Sequence, residues 1–246
     1  MVKLYKNFNI NNHHKNSIIL IGNFDGLHLG HQKLFKLALS YKKKYNSKIG
    51  VINFDPMPKM YFNNSLKNFK ISSVNQKLEL LKELKVDFII TKKFDKNFSK
   101  IKSIKFIKEI LYKKLNCKFI FVSNNFRFGN KREGDVKLLI QNEKNYNYKV
   151  IKPKPLLKSK KIVSSTIIRN LLEKGNLNRA NKFLGREWTI DGIVQKGRQV
   201  GKKIGFPTCN IDIKDYVLAQ PGVYAVRVLR KKNQKKLSGI ANLGYR

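Results

Sequence analysis

Residues 22–31, GNFDGLHLGH, set His28 and His31 three apart, with Gly22, Gly26 and Gly30 around them and Asp25 inside the stretch. Histidine is the side chain whose charge a neighbour most easily sets near neutral pH. Glycine lets a backbone approach an anion closely. The stretch follows SIILIG (17–22), an apolar run that reads as a buried strand closed by glycine. It precedes a helical pattern over 31–45 with apolar Leu34, Phe35, Leu37, Ala38 and Leu39. A helix start carries unpaired backbone N–H groups and partial positive charge, and so binds phosphate. On this reading Gly26 and Gly30 admit the anion, His28 and His31 add donors, and Gly22, Asn23 and Phe24 line a nucleotide. The other reading is that the histidines merely cap the helix. The pattern His-x-Gly-His directly after an apolar strand favours the polyphosphate turn.

A second cluster, Ser164, Ser165 and Thr166, precedes another apolar helical run, with Arg169 one turn in. Its hydroxyls and amides make a second anion-binding helix start to which a guanidinium can contribute, and they equally satisfy a plain N-cap. Two anion sites, one at each end of a polyphosphate, suit a reaction that splits it. The loop NNFRFG (124–129) combines aromatics, a charge and a glycine. It fits a flat ring with a phosphate tail, or core packing by Phe126 and Phe128. No Ser/His/Asp or Cys/His nucleophile set is apparent.

The elements that must hold these residues alternate. Strands are expected at 48–54, 86–91, 117–123 and 148–152, and helices at 72–84, 103–115 and 135–143. The helix at 72–84 starts with a capping box, Ser73 to Gln76. Strand–helix alternation implies an α/β fold with a parallel sheet and helices on both faces. Ligands bind such sheets at the carboxyl ends of the strands, where GNFDGLHLGH falls. Residues 165–185 read as two short helices broken by KGN. Short β-rich runs between Gly/Pro/Lys turns follow, the pattern of a small all-β domain. The boundary is placed near 185, giving units 1–185 and 186–246.

GNFDGLHLGH resembles the His-x-Gly-His nucleotidyltransferase superfamily, and more narrowly the adenylyltransferase half of bacterial bifunctional riboflavin kinase/FAD synthetases. The resemblance continues in family order. VINFDPMP (51–58) is similar to Thr-Phe-x-Pro-His-Pro, and FVSNNFRFGNKREGD (121–135) to the flavin loop. VSSTIIRNLL (163–172) is similar to Ser-Ser-Thr-x-Ile-Arg, and GIVQKGRQVGKKIGFPTCNI (192–211) to the Pro-Thr-Ala-Asn segment of the kinase half. The resemblance implies a Rossmann-like nucleotidyltransferase unit followed by part of a riboflavin kinase-like β-barrel. It implies transfer of AMP from MgATP to FMN, giving FAD and pyrophosphate. It carries His28 and His31 onto the ATP phosphates, and Arg169 with Ser164 to Thr166 onto the leaving pyrophosphate. Phe54, Pro56, Pro58, Asn125 and Arg127 fall to the flavin. In the kinase half it implies Gly201, Lys203 and Gly205 in a phosphate-covering loop, with Thr208 and Asn210 on ATP and Mg²⁺. Met57, Asn53, Ser123 and Cys209 depart from the pattern, which has His, Thr or Ser, Gly and Ala there. The family's catalytic Glu would lie beyond Arg246. The expectation is adenylyl transfer housed in 1–185, and no riboflavin phosphorylation by the sequence as written. The alternatives are a basic RNA- or DNA-associated protein on the same fold, or another His-x-Gly-His adenylyltransferase, such as one acting on phosphopantetheine. The segment GFPTCN argues against the latter.

Composition bounds the rest. The 246 residues are 41% hydrophobic, enough for a sizeable core, and carry a formal charge of +38. The excess is mostly lysine, spread along the chain among Asn and Ile, as AT-rich coding would produce. Arginine, the residue suited to bidentate phosphate recognition, is scarce. Small anionic substrates are therefore expected rather than nucleic acid. Cys117 and Cys209 stand apart in no metal or redox spacing and read as reduced thiols. The N-terminus lacks an apolar signal region, and no apolar run approaches the ~18 residues of a membrane span. A soluble cytoplasmic protein is expected.

Overall fold

In the computed structural model, residues 2–158, 160–195, 205, 208–213, 215–230 and 235–244 are described. Apolar runs form the sheet strands β2 (Ile18–Ile21), β3 (Ile49–Asp55), β4 (Phe88–Lys93) and β5 (Phe119–Phe121), and a short strand β1 (Lys3–Tyr5) precedes them. Two short strands, β6 (Arg127–Phe128) and β7 (Gly134–Asp135), form a hairpin before the last sheet strand, β8 (Lys149–Ile151). The sheet is parallel in the order β1-β4-β3-β2-β5-β8. From β2 the chain steps outward to β3 and β4, then returns to the other side of β2 as β5. The reversal makes the crevice above β2 and β5 the topological switch point, where ligands of such sheets bind. The edge strand β1 has no counterpart in the apolar pattern, because its three residues are short, lysine-led and largely exposed.

The helices are α1 (Leu29–Tyr45), α2 (Pro58–Phe62), α3 (Val74–Glu83), α4 (Lys96–Ser99), α5 (Ser103–Lys105) and α6 (Val136–Gln141). The single helix expected at 103–115 is one turn of α5 that widens into a π-helix over Phe106–Lys114, with Phe106, Ile107, Ile110 and Leu111 all buried. Alternate residues of a strand point to opposite faces, so the sheet has two cores. Ile18, Leu20, Val51 and Ile89 pack with Phe35 and Ala38 of α1 and Leu81 of α3. Ile19, Ile21, Ile52 and Ile90 pack with Ile107, Leu111 and Leu139. Both faces are covered, so the strands read as continuous apolar runs.

After a small hairpin of β9 (Leu157–Lys158) and β10 (Lys161–Ile162), the helices α7 (Ser165–Glu173) and α8 (Leu177–Leu184) close the first unit. A third core joins Ile71, Val163, Ile168, Leu172, Phe183 and Leu184 with Val217, and Trp188 packs on it half-buried. The change of architecture near 185 is thus crossed by side chains from beyond it. The backbone crosses too: Phe69 and Lys70 donate to Asp215 O, and Val217 donates to Lys70 O. Past this seam, among the described residues, two antiparallel pairs are seen, β11 (Val194–Gln195) with β12 (Asn210–Ile211) and β13 (Gly222–Arg230) with β14 (Lys235–Leu243).

Candidate nucleotide-binding site

The turn after β2 is built by commitments on both sides. The Gly22 N–H pairs with Ile52 O of β3 at 3.1 Å. Phe24 adopts the left-handed region (φ 48°) and buries its ring edge-on to Phe35 and His31, each at 5.2 Å. His28 caps α1, its Nδ1 accepting the His31 N–H at 3.3 Å. That bond places the proton of the neutral His28 ring on Nε2. The two imidazoles stack at 3.6 Å. Burial, then the charges of Arg169 and Arg186, push the His28 pKa down to about 4. Burial, then His28 and Lys77, hold His31 well below its ordinary value. Both rings are neutral at pH 7 in the free protein. The Nδ1 of His31 is buried without a partner among the described residues.

Asp25 anchors the turn. Its carboxylate accepts the Ile71 N–H at 3.1 Å and the Ser72 N–H at 3.3 Å, and pairs with Arg169 Nη2 at 2.5 Å. Arg169 also donates from Nε to Phe69 O at 2.7 Å, and its guanidinium lies 3.7 Å from the Phe69 ring centroid. The Ser165 hydroxyl donates to Asp25 O at 3.0 Å. Ser164 caps α7 by accepting the Ile167 N–H at 3.4 Å, and Thr166 is exposed. The two helix starts are therefore brought to one turn, and several of the groups expected on an anion have protein partners. Arg169 is tied to Asp25. The Gly26 N–H, expected to face a phosphate, donates to Ser72 Oγ at 3.2 Å, and Gly26 is buried.

The glycines are required by this closeness. Gly26 sits at φ +73°, and a Cβ there would lie 2.8 Å from Ile71. At Gly30 a Cβ would lie 3.1 Å from Val163 O and from the His28 ring, so glycine lets the start of α1 approach the chain entering α7.

Two cations absent from the sequence expectations complete the site. Lys77, on α3, is buried and donates from Nζ to Asn23 O at 3.3 Å; burial holds its pKa below the usual lysine value. Its signal in the sequence was a lysine one helical turn before Leu81 on the buried face of α3. Arg186, just beyond the expected boundary, donates to Gly26 O at 2.9 Å.

On the β5 side, Asn125 and Arg127 are exposed on the loop after the strand. Ser123 donates to Asn125 Oδ1, and Arg127 pairs loosely with Asp135 at 3.6 Å. Phe126 and Phe128 stack at 5.5 Å, with Phe128 buried in the core, so packing holds for these rings. Phe54 is buried against Phe94 and Phe98. Pro56 and Pro58 follow β3 at its carboxyl end, Pro58 opening α2, and Met57 is buried. Asn53 is fully buried with both amide atoms unpartnered among the described residues. In the second unit Thr208 is exposed and Asn210 lies in β12 opposite Gln195; Gly205 is exposed at φ +83°, while Gly201 and Lys203 lie outside the described residues.

A doubly wound sheet with a cation-rich His-x-Gly-His turn and two helix starts at its switch point defines a nucleotidyltransferase. The family model of FAD synthetase matches residues 10–167, and that of riboflavin kinase matches residues 184–246. The chain belongs to the FAD synthetase/riboflavin kinase family. It is 41% identical to a bifunctional riboflavin kinase/FMN adenylyltransferase of Buchnera aphidicola from Schizaphis graminum, over 97% of this chain and 76% of that protein. It is 35% identical to the protein so named in Escherichia coli K12, over 93% and 73%. A crystal structure described as a macrolide-efflux protein from Streptococcus pneumoniae superposes with a TM-score of 0.80 at 27% identity, over 99% of this chain and 79% of that one. Among the described residues no helix is long and apolar enough to cross a membrane.

Proposed function

We infer that this chain transfers the adenylyl group of MgATP to FMN, releasing pyrophosphate and forming FAD. The observation that carries the reading is the convergence of Lys77, Arg169, Arg186 and two neutral, stacked histidines on one turn at the switch point. The FMN phosphate oxygen is already an anion, so no base is needed. It attacks the α-phosphorus of ATP in line; the bond from that phosphorus to the bridging oxygen breaks, and the electron pair leaves on pyrophosphate. The protein positions the reactants and stabilises charge. His28 offers its Nε2–H, and His31, lying against it, joins it on the phosphates. Arg169 fixes Asp25, and through it the turn, while lending positive charge to the pyrophosphate side. Asn125 and Arg127, on the β5 loop, face the flavin, with Pro56 and Pro58 on the adjoining loop. The magnesium enters with ATP as part of the substrate.

The family's kinase step is assigned to the second unit, with Thr208 and Asn210 toward ATP and Mg²⁺. The partners are small molecules rather than nucleic acid, and the location is the cytoplasm. Incubation with FMN, ATP and Mg²⁺ should give FAD and pyrophosphate in equal amounts by chromatography. No FAD from folded protein overturns the reading. A parallel incubation with riboflavin in place of FMN tests the kinase step separately.

A further inference from the structure

Arg186 is the first residue after Gly185, the left-handed residue (φ +74°) that ends α8. The segment is wedged against the phosphate turn. A Cβ at Gly185 would lie 2.6 Å from Leu29, and Gln32 bridges Leu27 O and Leu184 O at 3.0 Å each. From there Arg186 reaches back and holds Gly26 O with Nη2, two residues before His28. Its Nη1 is buried with no partner, and it has no ion-pair partner among the described residues. A buried donor left unmade costs free energy and calls for an explanation. The other partnerless buried nitrogen of this turn is His31 Nδ1. The charge of Arg186 is felt at His28, where it opposes protonation. Arg169 is ion-paired with Asp25, whereas among the described residues no carboxylate pairs directly with Arg186, whose charge is supported only through space by Glu83.

We propose that Arg186 is a positioning residue of the adenylyl-transfer site, holding the Gly26–His28 turn and supplying a positive charge, in contact with no carboxylate among the described residues, for the nucleotide's polyphosphate. The site is thereby completed by the chain that leads into the second unit. This rests on the adenylyl-transfer reading for its substrate, but the anion-binding part is tested without turnover.

The test compares wild type with Arg186→Lys and Arg186→Gln in the full chain. Glutamine can keep a donor on Gly26 O and loses the charge; lysine keeps the charge. Pyrophosphate affinity is measured by calorimetry, together with KM for ATP, KM for FMN and the thermal midpoint. Expected is roughly tenfold weaker pyrophosphate binding and a tenfold higher KM for ATP in Arg186→Gln. Arg186→Lys should stay within about threefold of wild type, and KM for FMN should stay within twofold in both. Equal pyrophosphate affinity in all three proteins overturns the proposal. So does an equal loss in both variants with a matching fall in thermal midpoint, which assigns Arg186 to packing alone. Wild type that binds pyrophosphate but forms no FAD overturns the adenylyl-transfer reading and leaves this comparison standing.

Discussion

Neutral histidines beside a polyphosphate make a proton-linked site. An anion between the rings and the cations stabilises the protonated imidazole, so ligand binding should draw a proton from solvent. Pyrophosphate titrations at pH 6 in buffers of different ionisation heat should show uptake of a fraction of a proton; heats independent of buffer would contradict this. The same shift governs stability without ligand. The pKa of His28 is about 4 folded against an ordinary 6.5 unfolded, so between those values the unfolded chain binds more protons. Stability from this group is fully present above pH 6.5 and is lost as pH falls toward 4, which urea midpoints across that range check. For turnover, His31→Ala should lower kcat for FAD formation roughly a hundredfold, about 3 kcal/mol, as for other preorganised donors, while flavin affinity changes little. Asp25→Asn leaves Arg169 buried without its counter-charge and should cost about 3 kcal/mol or more in denaturant unfolding. The sequence shows the histidines because their spacing is local. It cannot show that Asp25 pairs with Arg169, because those residues meet only through the fold.

At the level of elements, what is legible follows from periodicity and what is missed follows from its absence. The capping box of Ser73 and Gln76 forms as the sequence indicates. The five core strands and the helices α1, α3, α6, α7 and α8 all overlap the expected segments, because each carries an apolar run or stripe, although α1 begins two residues early at Leu29, β3 runs on to Asp55 and β4 to Lys93. The strand β1 escapes detection, since pairing with β4 rather than its own composition makes it a strand. The β6–β7 hairpin is likewise too short to carry a period. The two helix starts are expected at the two ends of one polyphosphate; the direct contact between them, Ser165 and Arg169 on Asp25, is not in the sequence. Gly30 is the element-level test of that meeting. Gly30→Ala would improve helix propensity in isolation, yet its Cβ would press on Val163 O and the His28 ring. The expected outcome is a loss of FAD synthesis with little loss of α1 helicity by circular dichroism. At Gly26 the left-handed backbone adds strain, so Gly26→Ala should also destabilise by more than about 1 kcal/mol.

Across the whole molecule the sequence places a border near 185, where α8 ends. The expectation that adenylyl transfer is housed entirely before it meets the packing at the seam. Val217 is buried in the α7–α8 core, Trp188 packs on it, and Arg186 holds Gly26. Contacts between distant chain segments leave no local period, so composition cannot reveal them. Ending the chain at Gly185 would expose Ile71, Val163 and Leu184 and free the Gly26 carbonyl, lowering both the thermal midpoint and FAD formation. Trp188 reports the same coupling in the intact chain. It is the only tryptophan, and its indole N–H donates to Ile71 O at 2.9 Å, while the Ile71 N–H donates to Asp25 of the phosphate turn. A ligand that rearranges the turn thus acts one residue away from the indole. Pyrophosphate, which has no absorbance of its own in this range, should change Trp188 emission with the midpoint found by calorimetry. The change should weaken in Asp25→Asn, where the link to Ile71 is altered. Emission that stays constant while calorimetry shows saturation would mean that the turn and the seam move independently.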